Sequence, residues 1–382
     1  MEAGLLDDPA RIEAADPAGL LRQVASSAAQ VRASLAATGE TDLSDVLSAG
    51  RPRAIVVVGM GGSGLAGDLL AAVCGPGCPV QIITVRGPRL PGWVSAADLV
   101  IAVSSSGSTQ ETLSAAEDAV RRGCPLLGVG GLDSPLAALA EQARAPFVPV
   151  RSAGLPRSTL WGVAVPLIGT AARLGLCEAG PDAFEAAAAL LEDVSQRCRP
   201  DLESFVNPGK GMALDLAGTL PVIWGSSPLA AVAAHRFACQ LNENAKYPAI
   251  HGSLPEASHN QVVAFDGPFA PGPAVPWNTG ADDLFADADP DCDGPSVPLR
   301  LVMLTDTQEH PQVAKRREAS VLLAADRGVE VTELAAAGDH PLQRLASLLQ
   351  LIDYVTVYLG LALGFDPAAP DTAATELKAR IA

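Results

Sequence analysis

Residues 51–73 read RPRAIVVVGMGGSGLAGDLLAAV. Ala54–Val58 is apolar at every position, enters a glycine-rich turn and continues into a helix-like stretch. A strand without polar alternation is buried on both faces, which belongs to a parallel sheet covered by helices. The pattern recurs at Val80–Val85, at Leu99–Val103 (followed by SSSGSTQET and a helical stretch), at Pro125–Gly130 and at Phe147–Val150. Strands alternating with helices predict an open, doubly wound α/β sheet. Such sheets bind ligands at the carboxyl ends of their strands, where both the glycine turn and the serine turn lie.

Outward from this core, residues 9–40 have apolar positions at helical spacing, through Leu20, Leu21, Val24, Val31 and Leu35. Residues 159–200 also read as helices. A second α/β set follows: strand Leu220–Trp224, helix 229–242, a short strand Val262–Phe265, strand Leu299–Leu304, helix 311–327, strand Val329–Leu334 and helix 340–364. The expected organisation is an N-terminal helical segment (1–45), a first α/β domain (46–175), a second (200–365) and a C-terminal tail (366–382). Residues 266–298 are Pro/Gly-rich and acidic, with six Asp between 282 and 293. They predict a flexible surface insertion. A Ca²⁺ site there would lack EF-hand spacing, its Gly and its terminal Glu.

The 382 residues are 48% apolar, enough for a sizeable core, but only 4% aromatic, so Ala, Val and Leu must build it. With 26 basic and 43 acidic residues the net charge is −17. That lacks the basic footprint of a nucleic-acid or anionic-membrane binder. One phosphate can still be held by a few local dipoles and cations. The N-terminal MEAGLLDDPARIEAADP has no long apolar run, so no signal peptide is expected, and no segment offers about 18 consecutive apolar residues. Seven scattered Cys (74, 78, 124, 177, 198, 239, 292) fit thiols of a reducing cytoplasm. Cys74 and Cys78 form the only close pair. With no further thiol or His nearby in sequence, they read as small apolar residues rather than metal ligands.

Gly59-Met60-Gly61-Gly62-Ser63-Gly64 satisfies the dinucleotide fingerprint. The ribose-binding acid expected about 20 residues on is missing, since no Asp or Glu lies between Asp68 and Asp98. Arg86 and Arg89 keep an NADP reading open, and a turn needing glycines only for packing is equally compatible. The second turn, Ser104-Ser105-Ser106-Gly107-Ser108-Thr109, discriminates better. Hydroxyls and N–H groups at a helix start make an anion site, which a sugar monophosphate would use and an extended pyrophosphate would not need. Helix capping by Ser108 or Thr109 is the plainer account, but one cap does not require four hydroxyls.

GMGGSGLAGD followed by SSSGSTQET resembles the sugar-isomerase (SIS) domain. Together with GLPRS (154–158), LNENAK (241–246), SHN (258–260) and ELK (376–378), in that order, it is similar to the bifunctional phosphoglucose/phosphomannose isomerases. The likeness runs from about residue 50 to the C-terminus. It implies two SIS-type, flavodoxin-like subdomains and aldose–ketose isomerisation of glucose 6-phosphate, mannose 6-phosphate or both with fructose 6-phosphate through a cis-enediolate. No cofactor or metal is implied.

The resemblance assigns the phosphate to Gly62, Ser63, Ser104, Ser106 and Thr109. It makes Glu243 the base, His259 and Lys378 the ring-opening residues and Arg157 the enediolate stabiliser. Desolvation raises a carboxylate's basicity, His has a near-neutral pKa, and Arg carries permanent charge, so each type suits its role. Asn242 and Asn244 are expected to orient Glu243. His251 competes with His259, His235 reads as packed core, and His310 and His340 carry no role. The family also implies a cytoplasmic homodimer in which His259 crosses to the partner's site. Two departures stand out: Ser105 replaces an aromatic residue of the family, and Ser108 an Asn. A hydroxyl upstream of the tail Lys, linked to accepting both epimers, is matched only loosely by Thr372 and Thr375. The rival readings are a non-catalytic sugar-phosphate sensor, an NADP oxidoreductase and an amino-sugar synthase half. Glutamine-dependent synthesis would need an N-terminal Cys, and no Cys precedes Cys74.

Overall fold

The computed structural model describes residues 2–150, 154–271, 297–369 and 372–381. The chain divides into two compact units, each with one parallel sheet. The first-sheet unit is Ala18–Arg197 with Gly338–Gln350, and the second-sheet unit is Met1–Pro17, Cys198–Ala337 and Leu351–Ala382. The helical stretch expected over 9–40 is broken into α1 (Pro9–Ala15), α2 (Leu20–Ala25) and α3 (Ser27–Glu40), with α4 (Ser44–Ser48) beyond. Pro17 offers no N–H to continue α1. The break also divides the N-terminal helices between the units, α1 falling in the second-sheet unit.

The first sheet comprises β1 (Ala54–Val58), β2 (Gln81–Val85), β3 (Leu99–Ser104), β4 (Leu126–Gly130) and β5 (Phe147–Pro149). All pairings are parallel and the order is β2-β1-β3-β4-β5. Every residue of β1 and β3 is buried, as their unbroken apolar runs require. Each such Val or Ile contributes about 1.5–3 kcal/mol by leaving water. Helices α5 (Gly61–Cys74), α6 (Gln110–Arg121), α7 (Pro135–Gln142), α8 (Leu160–Arg173) and α9 (Pro181–Arg197) complete this unit's layers. The order reverses between β1 and β3, so the crevice at this topological switch point lies between the glycine and serine turns.

The second-sheet unit contains α10 (Pro208–Leu216), β6 (Leu220–Gly225), α11 (Pro228–Ala245), β7 (Ile250–Ser253), α12 (Ala257–Asn260), β8 (Leu299–Thr305), α13 (Pro311–Asp326) and β9 (Glu330–Ala335). Its order is β7-β6-β8-β9, again parallel. The strand expected at Val262–Phe265 is instead part of a 3₁₀ helix, Gln261–Asp266. There Phe265 stacks on Trp224 at 5.6 Å, and Gln261 Oε1 accepts from Trp224 Nε1 at 2.6 Å. The strand at the β6 edge of the sheet is β7, a short segment with no apolar run, and β9 forms the other edge. Helix α14 (Pro341–Ala362) has mean hydropathy 1.5 in its most apolar window. It is long and apolar enough to cross a membrane, but 94% of that window is buried within the protein, as in a core helix. Helix α15 (Thr372–Ile381) follows. The acidic stretch, with its Asp cluster and Cys292, lies outside the described residues from 272 to 296.

Candidate active site

Both turns of the first sheet leave a buried strand and start a helix. Neither α5 nor α6 has a side-chain cap, whereas Ser134 caps α7 by accepting from Ala137 N–H. Thr109 occupies the N-cap of α6, yet its hydroxyl meets Ser104 Oγ at 3.0 Å instead of capping. Ser106 Oγ lies 3.5 Å from Ser104 Oγ and accepts from Ser108 Oγ at 3.1 Å and Ser108 N–H at 3.3 Å. Across the crevice, Ser63 Oγ accepts from Ser105 N–H at 3.3 Å, tying the two turns together. Gly107 turns the chain at φ +68°, packed against Ser134. Hydroxyl groups and two uncapped helix starts therefore converge on one crevice, where an anion is favoured. Capping does not account for the Thr109 hydroxyl.

Gly62 approaches the Arg157 loop: a Cβ at Gly62 would lie 3.8 Å from Pro156 O. Arg157 sits half-buried on a 3₁₀ turn, Pro156–Ser158. The N-terminal helices hold that turn in place. Gln23 Oε1 accepts from Leu155 N–H at 2.8 Å and Ser158 Oγ at 3.0 Å, and Gln30 Nε2 donates to Ser158 O at 2.8 Å. Ser105, the departure from the family aromatic, meets Thr159 Oγ1 at 3.0 Å and links the serine turn to the same loop. Ser63, Ser104, Ser106, Thr109 and Arg157 thus share one unit. Arg86 donates to Asp68, which also accepts from Thr84 at 2.8 Å, so its guanidinium is engaged within the sheet edge.

Glu243 and His259 belong to the second-sheet unit. Glu243 does not follow a helix, as expected, but lies in the last turn of α11, half-buried. The flanking amides serve the helix: Asn242 Nδ2 donates to Ala238 O at 2.7 Å, and Asn244 Nδ2 to Gln240 Oε1 and Thr356 Oγ1, both at 3.0 Å. They position the Glu243 backbone. Two further contacts fix α11 against α14. Arg236 makes a buried bidentate pair with Asp353 at 2.8 and 2.7 Å. Gly360 lets the backbones approach so closely that its Cβ would lie 2.5 Å from Asn244 O.

His259 is exposed on the short helix α12 rather than in a loop. His235 is half-buried rather than core. It stacks on His251 at 4.6 Å, and burial together with His235 pushes the His251 pKa down. His310 and His340 act structurally: the N–H groups of Gln312 and Leu342 donate to their Nδ1 atoms at 3.2 and 3.1 Å. Lys378 lies on α15.

The sequence reading missed a third strand–serine–helix turn. Gly225-Ser226-Ser227 leaves β6 and starts α11, in the position of the glycine turn of the first sheet, and Asp306 follows β8, in the position of the serine turn. It is filled from within. Asp306 Oδ2 accepts from Ser227 Oγ at 2.7 Å, Asp306 N–H donates to Ser226 Oγ at 3.2 Å, and Ser227 Oγ caps α11. An internal carboxylate occupies the place of an anion there.

Two parallel sheets, with a hydroxyl-lined helix-start crevice on the first, define a SIS-domain protein of the sugar-phosphate isomerase superfamily. A family model described as the bacterial phospho-glucose isomerase C-terminal SIS domain matches residues 205–381. The chain is 31% identical over 315 residues to the bifunctional phosphoglucose/phosphomannose isomerase of Caldicellulosiruptor bescii, covering 82% of this chain and 85% of that protein. It is 28% identical over 321 residues to the Aquifex aeolicus protein of the same description, covering 84% and 88%. A crystal structure of a hypothetical protein from Thermus thermophilus shares the fold, with TM-score 0.69 over 97% of this chain and 94% of the other at 16% identity. The chain belongs to the bifunctional phosphoglucose/phosphomannose isomerase family of SIS-domain proteins.

Proposed function

We propose that the protein interconverts glucose 6-phosphate, mannose 6-phosphate or both with fructose 6-phosphate. The supporting observation is the Thr109 hydroxyl, turned from its helix cap toward Ser104 in the uncapped crevice. In this reading the backbone at Gly62 and the hydroxyls of Ser63, Ser104, Ser106 and Thr109 hold the phosphate. His259 and Lys378 move protons as the ring opens. Glu243 then takes the C2 proton of the aldose and returns it to C1, and Arg157 offsets the charge on the cis-enediolate oxygens. This chemistry needs no redox cofactor, and no metal when the base and the cation are well placed. Two copies are proposed to assemble, each supplying His259 from its exposed helix to the partner's site.

The test is a coupled assay of fructose 6-phosphate formation from each aldose phosphate without added metal, with Glu243→Gln alongside. A positioned base contributes about 10²–10⁴-fold, so kcat should fall by that factor while KM changes little. Wild-type protein that binds the sugar phosphates and turns over neither would refute the proposal. A non-catalytic sensor or an isomerase of a modified sugar phosphate would then take its place.

A further inference from the structure

Helices α2 and α3 lie upstream of every motif that carries the family likeness, yet both reach the loop of Arg157. All the residues concerned belong to the first-sheet unit. One side chain, Gln23 of α2, meets that loop on both sides of Arg157. Its Oε1 accepts from Leu155 N–H at 2.8 Å and from Ser158 Oγ at 3.0 Å. An amide oxygen has two lone pairs, so both bonds can be held at once. Its Nε2 donates to Ala18 O at 3.1 Å, which keeps the oxygen turned toward the loop.

The turn that carries Arg157 depends on such outside support. Pro156–Ser158 is a single 3₁₀ turn, closed by Ser158 N–H donating to Leu155 O at 2.8 Å. Pro156 has no N–H to add, and 3₁₀ hydrogen-bond geometry is poor. The Ser158 hydroxyl proton is shared between Leu155 O, at 2.8 Å, and Gln23 Oε1. On the downstream side, Gln30 Nε2 donates to Ser158 O at 2.8 Å, and Ser34 Oγ to Gly162 O in α8 at 3.2 Å. Gln30 and Ser34 hold that side alone, whereas Gln23 holds both. A guanidinium offsets developing charge only where its N–H groups stand at the right atoms, and a misplacement of about 1 Å can cost about 10²-fold in rate.

We propose that Gln23 is a positioning residue that acts through Arg157: it clamps the 155–158 turn so that the guanidinium stands where the enediolate charge develops. This rests on the isomerase reading and on the role of Arg157 within it. The N-terminal helices then belong to the catalytic apparatus and are more than a packing layer.

The experiment measures kcat and KM for fructose 6-phosphate formation from each aldose phosphate, with urea midpoints alongside. The chains compared are the wild type, Arg157→Met, Gln23→Leu, their double variant and Ser34→Ala. Leucine suits a helix as well as glutamine but accepts neither bond. Arg157→Met should lose about 10²–10³-fold in kcat, the cost of a missing charge-stabilising donor. Gln23→Leu should lose about 10–10²-fold in kcat at nearly unchanged KM. The double variant should be no slower than Arg157→Met, because a positioning effect ends when the positioned group is gone. Ser34→Ala frees a carbonyl beyond the turn and should turn over like the wild type. Ser158→Ala removes one of the two clamp bonds and should show the same non-additivity at smaller amplitude. It decides the matter if Gln23→Leu is too unstable to assay. Normal kcat in Gln23→Leu, an equal loss with and without Arg157, or the same loss in Ser34→Ala overturns the proposal. A slow Arg157→Met beside a normal Gln23→Leu sinks the clamp alone. An Arg157→Met that turns over normally, or an inactive wild type, sinks the underlying reading and the clamp with it.

Discussion

Replacing Gly107 by Ala tests how tightly the serine turn is built. At φ +68° an L-residue loses about 1–2 kcal/mol. The added Cβ would lie 2.0 Å from Ser134 Oγ and 2.3 Å from Ser134 Cβ. Because the Cβ contact involves the root of the side chain, rotating the hydroxyl away cannot relieve it, and the backbone of α7's first turn must shift. Ser134 would then lose its bonds to Ala137 N–H at 3.2 Å and Gly131 O at 2.7 Å, and losing such a cap costs about 1 kcal/mol. The expected destabilisation is about 2–4 kcal/mol, read as a lower urea midpoint at unchanged m-value. Affinity for glucose 6-phosphate should fall at least about tenfold, because 1.4 kcal/mol of displaced hydroxyl contact suffices for that. Gly107→Ala with Ser134→Gly removes the collision but keeps the φ cost. Glycine caps nearly as well as serine, so the double variant should recover to about 1–2 kcal/mol below wild type. A single variant within 0.5 kcal/mol of wild type, or a double variant that is strictly additive, would refute the packing argument.

Thr109→Val removes the bond to Ser104 Oγ but no cap bond, so it should cost about 0.5–1.5 kcal/mol of stability while calorimetry shows weaker sugar-phosphate binding; a larger stability loss with intact binding would restore the capping role. Arg236→Ala strands the buried Asp353 carboxylate and should cost about 3–5 kcal/mol in chemical denaturation, whereas Arg236→Met with Asp353→Leu should be much closer to neutral. Hydrogen bonds from Arg53, together with the Ser95 N–H, hold the buried Asp98 carboxyl below the usual range. A depressed carboxylate pKa adds stability that is complete above the unfolded value near about 4 and is lost as pH falls through the folded value. Asp98→Asn should therefore lower stability at pH 7 and flatten the acid limb of the pH–stability curve below about pH 4, and an unchanged limb would count against the pairing.

Features that depend on neighbours in sequence were legible. β1 and β3 announce themselves because fully buried parallel strands need unbroken apolar runs, and their turns because glycine and serine follow at once. The edge strand β7 was missed because Ile250–Ser253 is largely exposed and carries no apolar run. The apolar run Val262–Phe265 was misread because packing on Trp224 favoured a 3₁₀ turn over an edge pairing. Helix α11 was ended too early, at 242. The helix continues through Glu243 to Ala245, and Lys246 terminates it in the left-handed conformation that a glycine would have signalled.

The sequence alone determined the α/β class, both anion-friendly turns and the residue types able to move a proton, since each depends on periodicity or on groups a few positions apart. Tertiary structure decided that Gln23 and Gln30 brace the Arg157 loop and that Asp306 fills the Ser226-Ser227 turn. Those pairs lie 79 or more positions apart. Nothing in the local chain specifies which distant strands and helices pair, because that choice is made by the burial of whole faces at once.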